Sequence, residues 1–84
     1  MNKERRQELG DVIDYLDDAI DRLEEIISDE EDSFDNLPEG LRYSRTGDSM
    51  QEAMDRMRGF CDDIEAVKSK VNDMMLNKKP KKGG

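Results

Sequence analysis

The fold is decided by residues 9–37, LGDVIDYLDDAIDRLEEIISDEEDSFDNL, in which two regular spacings overlap. Apolar side chains recur there at alternating steps of four and three residues: Leu9, Ile13, Leu16, Ile20, Leu23 and Ile27. Side chains with this spacing lie on one face of an α-helix. The stretch therefore predicts one long amphipathic helix, and its apolar row marks the side that packs.

A second row on the same helix consists only of carboxylates, and we call it the acidic stripe. Its members are Asp11, Asp14, Asp18, Asp21, Glu25, Asp29 and Asp32. Residues 11–39 contain thirteen acidic residues and a single basic one, Arg22. Like charges one turn apart destabilise a helix by about 0.2–0.5 kcal/mol per pair, and Asp is a poorer helix former than Glu. The stripe is either a solvated face or a binding face, and both interpretations remain open.

The apolar face of this helix is wider than a two-stranded coiled coil requires. Val12, Ala19 and Ile26 lie beside the main row at intervals of seven residues. A coiled-coil pair needs only a narrow contact row, whereas a wider face is typical of helices in bundles. The pattern therefore predicts more than one neighbour for the helix.

The second half of the chain predicts another long helix. Its apolar inward positions are Met50, Met54, Met57, Cys61, Ile64, Val71 and Met75. Lys68 occupies one further inward position of the same row. A widening row again follows at intervals of seven: Ala53, Phe60, Val67 and Met74. Capping boxes of Asp48 with Gln51, or of Ser49 with Glu52, predict that the helix begins at residue 48 or 49.

Residues 37–48, LPEGLRYSRTGD, are predicted to connect the two helices. Pro38 disfavours helical geometry at the residue before it, so the first helix should end near Asn36. Two roles remain open for the apolar side chains of this connection. Leu37, Leu41 and Tyr43 could cap the open end of a helical hairpin, or Leu41, Arg42, Tyr43 and Arg45 could form a recognition loop.

These patterns together predict an all-α fold with one domain in residues 1–76. We expect an antiparallel hairpin with helix 1 at about 3–36, a connection at 37–48 and helix 2 at about 49–76. Since one hairpin cannot cover two wide apolar faces, we expect it to dimerise into a four-helix bundle. Residues 77–84, NKKPKKGG, are predicted to be a disordered basic tail.

The net charge of −8 is unevenly distributed, with −11 in residues 1–40 and +3 in residues 41–84. Such a chain is repelled by nucleic acid and anionic membranes and favours basic partners. Cys61 is the single cysteine, so an intrachain disulfide cannot form. The sequence contains neither a membrane-spanning apolar run nor a signal peptide, and we expect a cytoplasmic protein without a membrane partner.

No catalytic constellation stands out in the sequence. There is no histidine, and the acidic run at residues 29–32 lacks the ligand spacing and glycine of an EF-hand loop. All-helical nucleotide pyrophosphatases hold Mg²⁺ with carboxylates one turn apart. Pairs with that spacing are Asp18 and Asp21, Glu52 and Asp55, and Asp62 and Glu65. Because Asp18 and Asp21 face away from the apolar row, we expect no enzyme, metal or cofactor, and keep the pyrophosphatase as a remote alternative.

Residues 28–57 resemble a family of short acidic two-helix proteins, mostly uncharacterised, of phages and mobile elements of Gram-positive bacteria. The shared signature is the acidic run at residues 29–32, Phe34, and the turn Asn36-Leu37-Pro38-Glu39. The resemblance covers about a third of the chain and contributes no catalytic residues. It implies a small accessory protein, of a kind that handles host defences.

The functional hypothesis is that the acidic face occludes a basic, nucleic-acid-binding surface of a host defence protein, as a DNA mimic does, without binding nucleic acid directly. The candidate binding residues on the helix are Asp14, Asp18, Asp21, Glu25, Asp29 and Asp32. Leu41, Arg42 and Tyr43 add specificity from the connection. The alternative is a homodimeric helical scaffold whose acidic face only keeps it soluble.

Overall fold

A computed structural model describes residues 2–76 of the chain. They form three helices: α1 at Lys3–Asp35, α2 at Glu39–Arg42 and α3 at Arg45–Met75. None of these residues belongs to a β-strand, which confirms the all-α prediction. The predicted basic tail at 77–84 lies outside the described residues.

Both ends of α1 follow from its sequence. The Asn2 side chain accepts a hydrogen bond from the Arg5 amide at 2.8 Å, which satisfies one of the free N–H groups of the first turn. At the other end, the Asn36 amide donates to the Asp32 and Phe34 carbonyls, and Pro38 follows two residues later. The predicted limits of this helix are confirmed to within one residue.

The predicted start of the second long helix is wrong by four residues. Ser44 is the residue that caps α3, and its hydroxyl accepts a hydrogen bond from the Thr46 amide at 3.2 Å. Asp48 and Ser49, the predicted caps, lie inside the first turns of the helix. The twelve-residue loop predicted at 37–48 is also wrong, because it contains α2 and the beginning of α3.

A close approach between α2 and α3 explains this difference. Gly47 is buried, and a Cβ atom built on it would lie 2.0 Å from the Arg42 carbonyl oxygen. Only a residue without a side chain lets the first turn of α3 come this near to the end of α2. Gly47 is therefore a contact point inside a compact turn, whereas the sequence pattern suggested a simple break.

The two long helices run antiparallel, side by side in a single layer. Gly10 faces Met75 near the beginning of α1 and the end of α3. Seven residues further along each helix, Asp17 bonds to Lys68. The molecule measures 58 × 29 × 12 Å, and its shortest dimension is about the diameter of one helix. Among residues 2–76, no further long helix covers either broad face of the layer.

The core of this layer is small. Ile20 and Ile27 of α1 and Met54 of α3 are 7%, 8% and 5% exposed, and the described residues include no other buried large apolar side chain. The rest of the two inward rows is only half-buried. A single hairpin therefore removes one side of each helix from water and leaves much apolar surface accessible.

Candidate protein-binding surfaces

The pairing of α1 with α3 has a fixed register. Gly10 lies against Met75, and Asp17, seven residues on, bonds to Lys68, seven residues back. The same step brings Glu24 to Cys61, and these two groups interact electrostatically. Outward side chains next to the contact line therefore lie on one or the other of the two broad faces of the hairpin, which we call its flanks.

One flank carries ion pairs across the contact line, and we call it the ion-paired flank. Lys68 Nζ lies 2.5 Å from Asp17 Oδ1, and Arg58 Nη2 lies 3.1 Å from Glu31 Oε2. The hydrogen bond to Asp17 raises the pKa of Lys68 above its ordinary value, although partial desolvation opposes the shift. Each helix therefore meets its neighbour here through groups that remain accessible to water.

The opposite flank is apolar on both helices, and we call it the apolar flank. Ile26 and Phe60 are each 50% exposed, and Val12 and Met74 line one shallow depression with Leu9. The full set combines the two widening rows: Val12, Ala19, Ile26, Ala53, Phe60, Val67 and Met74. Five of these side chains are exposed, and exposed apolar side chains on one face make it a candidate interaction site.

The acidic stripe runs along a third side of α1. All seven of its carboxylates are exposed, and Asp11, Asp14 and Asp18 surround the accessible ring of Tyr15. The four ion pairs formed within residues 2–76 use other acids, namely Asp17, Glu31, Asp55 and Glu65. The six candidate carboxylates, from Asp14 to Asp32, therefore present their charge to solvent.

The three candidate residues of the connection have different environments. Leu41 and Tyr43 are exposed, Tyr43 to 81%. The Arg42 guanidinium is half-buried and donates from Nη2 to the Asp35 carbonyl at 2.6 Å, where it also faces the negative end of the α1 dipole. Arg42 thus fastens the connection to α1, while Leu41 and Tyr43 remain available to a partner.

The groups with possible reactivity are dispersed. Within residues 2–76 no three acidic or cysteine side chains are grouped closely enough to hold a metal ion. Cys61 is half-buried, and desolvation, followed by the negative charge of Glu24, raises the pKa of its thiol. A raised pKa reduces the thiolate fraction and hence the reactivity of the sulfur.

The sequence pattern indicated the residues of the apolar flank but not that the two rows lie on the same side of the hairpin. Val12, Ala19 and Ile26 indicated a wide face on one helix, and Phe60 and its heptad mates indicated the same on the other. Because α1 and α3 are antiparallel and each widening row directly precedes an inward position, the two rows lie on the same flank. This coincidence could have been found by placing both rows on one antiparallel helical diagram.

None of the helices within residues 2–76 is both long and apolar enough to cross a membrane. Comparison of the chain with protein-family models, with curated proteins and with solved structures finds no match.

Proposed function

We propose that this chain is a non-enzymatic protein-binding module that dimerises into a four-helix bundle and docks its acidic stripe on a basic surface of another protein. The basic surface is one that otherwise binds nucleic acid, so docking occludes it in the manner of a DNA mimic. In the setting that the family resemblance implies, the partner is a cytoplasmic host defence protein. The observation that carries the proposal is the exposed acidic stripe, which none of the ion pairs within residues 2–76 uses.

The electrostatics of the stripe favour a basic partner. Its carboxylates stand about 5–6 Å from their neighbours along the helix, a spacing comparable with that of phosphates along a nucleic-acid strand. Their mutual repulsion costs free energy in the unbound chain and is relieved opposite positive charge. Docking of this kind is fast and weakens as salt is added.

The dimer is supported by the apolar flank and the small core. A soluble monomer rarely leaves a large apolar patch exposed unless the patch is functional, and a second hairpin would remove it from water. Apart from Asp29, which lies three residues after Ile26 and borders the apolar flank, the acidic stripe lies on another side of α1, so dimerisation leaves it accessible.

Reversal of three stripe charges tests the docking. We compare wild type with a variant carrying Asp18→Lys, Asp21→Lys and Glu25→Lys, and with a control that has the same charge change on α3: Glu52→Lys, Asp62→Lys and Asp73→Lys. In a low-salt pull-down from host lysate, wild type and control should capture a nucleic-acid-binding protein that added DNA or salt releases. The stripe variant should not capture it. Equal capture by a folded stripe variant would overturn the proposal.

The scaffold alternative is favoured by the apolar flank alone, since a homodimer needs no further partner. Failure of any partner to appear at every salt concentration would replace the occlusion proposal with it. The pyrophosphatase alternative is tested by incubating the protein with nucleoside triphosphates and Mg²⁺ or Mn²⁺. Turnover that disappears on Asp18→Ala or Glu52→Ala would show that the protein is an enzyme.

A further inference from the structure

We propose that the apolar flank receives a second copy of this chain about a twofold axis parallel to the helices, so that α1 of each copy packs on α3 of the other. This inference rests on the proposed dimer and adds its geometry. Both connections then lie at one end of the bundle, and the beginning of α1 and the end of α3 of each copy lie at the other.

Two symmetric arrangements are possible for flat faces of this shape. A twofold axis in the interface can run parallel to the helices or perpendicular to them. The parallel axis stacks α1 on α3 of the second copy at the same level of the hairpin. The perpendicular axis stacks α1 on α1 and α3 on α3, with the direction of one hairpin reversed.

The side chains bordering the apolar flank distinguish the two arrangements. Each lies three residues after a flank residue, one turn further along the same edge of its helix. They are all exposed: Tyr15, Arg22, Asp29, Arg56, Asp63 and Lys70. They form the two outer rims of the flank, one on each helix, and we call them rim residues. A second copy on the flank would meet them.

The register of the hairpin gives the level of each rim residue. Val12 and Met74 are adjacent, and steps of seven residues bring Ala19 beside Val67 and Ile26 beside Phe60. The bordering residues of α1 and α3 form three pairs whose members lie at the same height along the hairpin. These pairs are Arg22 with Asp63, Asp29 with Arg56, and Tyr15 with Lys70. Within one hairpin the members of each pair lie on opposite rims of the flank.

The parallel axis brings each pair together across the interface. Arg22 faces Asp63 of the second copy, Asp29 faces its Arg56, and the Tyr15 ring faces the Lys70 ammonium, each of them twice by symmetry. Opposite charges and a cation over an aromatic ring are favourable contacts. Such a pattern fixes the orientation of partners more than it adds affinity.

The perpendicular axis produces the reverse pattern. With this axis through the middle of the flank, at the level of Arg22 and Asp63, Arg22 would face Arg22 of the second copy, Asp63 would face Asp63, and Lys70 would face Arg56. The acidic stripes of the two α1 helices would also run side by side, with repulsion along their length. The parallel axis instead puts the two stripes at opposite corners of the bundle, each open to a basic partner.

The size of the flank is sufficient for a stable dimer. From Ala53 to Met74 it extends ~32 Å along α3, and two adjacent helices give it a width of ~20 Å. The product is roughly 600 Å² from each copy, or about 1,200 Å² in total, which is the lower limit for specific interfaces.

Distance measurement between spin labels tests the axis. Gly40 lies in α2, and a Cβ built on it meets no atom within 4 Å, so Gly40→Cys on a Cys61→Ala background accepts a label without disturbing the turn. The parallel axis predicts a label separation below about 30 Å, since only two helix diameters and the label arms lie between the sites. A dimer with a separation near the 58 Å length of the molecule would overturn the proposed axis while leaving the dimer intact.

Charge exchange provides a second, independent test. Arg22→Asp alone sets like charges against Asp63 of the second copy twice and should weaken the dimer roughly tenfold. Asp63→Arg alone should do the same, and the double exchange should restore the wild-type dissociation constant. Single variants without effect, or effects that add in the double variant, would overturn the arrangement. A folded wild-type monomer would overturn the dimer and its geometry together.

Discussion

The two flanks of the hairpin lie on opposite sides of the contact line between α1 and α3, and they present different side chains to water. On one, Lys68 and Arg58 reach carboxylates of the opposite helix and stay partly hydrated. On the other, Ile26 and Phe60 keep half of their surface exposed within residues 2–76. The polar groups of the ion-paired flank therefore have partners within one hairpin, whereas the apolar side chains of the other flank are only partly covered by it.

The three sides of α1 therefore differ in what they can contribute to stability and to binding. Ion pairs at accessible positions contribute little to stability, so the ion-paired flank mainly sets which residues face each other. Covering the exposed half of a large apolar side chain contributes about 1 kcal/mol, so in the proposed dimer the apolar flank would supply most of the free energy of association. The acidic stripe forms no ion pair within residues 2–76, and in the proposed dimer only Asp29 of the stripe borders the interface.

Introducing a charge in the apolar flank should have the largest effect. Phe60→Asp removes an aromatic ring and buries an unpaired carboxylate in each copy, so the dimer should dissociate at least about a hundredfold more readily. Ser28→Asp adds the same charge at an exposed position outside the flank and should leave association unchanged. Sedimentation equilibrium measures both, and equal behaviour of the two variants would remove the distinction between the flanks.

The compact turn fixes the register that both flanks share. Gly47→Ala would force a Cβ to within 2.0 Å of the Arg42 carbonyl oxygen, and we expect a loss of about 1–3 kcal/mol in the free energy of unfolding. Gly40→Ala is the matched control, because its Cβ meets no atom within 4 Å. Urea denaturation compares the two, and equal stabilities would show that the turn is not packed as described.

The ion-paired flank should respond to alkaline pH. Because the pKa of Lys68 is raised in the folded chain, its contribution to stability is complete below the ordinary lysine pKa and is lost as pH rises through the higher folded value. Lys68→Met should lack this loss, because it has no ammonium group to deprotonate. Thermal melts from neutral to strongly alkaline pH give the difference, and parallel pH profiles would contradict the role of the ion pair.

The smallest expected effect concerns Cys61, between the two flanks. Its raised pKa lowers the thiolate fraction, so alkylation by iodoacetamide near pH 8 should be slower than that of a free cysteine peptide. Denaturation in urea should restore the peptide rate. A folded-state rate equal to that of the peptide would show that the thiol is not desolvated by the hairpin.

Much of the fold could be predicted from the sequence because it depends on local patterns. The Pro38 stop and the spacing around Ile20 and Ile27 are properties of one helix, and the structure has α1 where they predict it. The acidic stripe was equally local, and its exposure follows from the position of the apolar row.

The errors arise where a residue acts through distant contacts. Gly47 is required by the Arg42 carbonyl, a contact that exists only after α2 and α3 have folded together, so the start of α3 could not be found from capping patterns. For the same reason Arg42 was predicted only as a recognition residue, although it bonds to Asp35 at the end of α1. The common side of the two widening rows likewise depends on how the helices are arranged.

The central claim is that the apolar flank is covered by a second copy while the acidic stripe, apart from Asp29, stays free. The molar mass in solution tests this claim most directly. Sedimentation equilibrium at micromolar concentration should give twice the chain mass of 9.7 kDa for wild type and for the variant with Asp18, Asp21 and Glu25 reversed to lysine. Phe60→Asp should give the mass of one chain. A fully helical wild-type protein that sediments as a monomer would contradict the account.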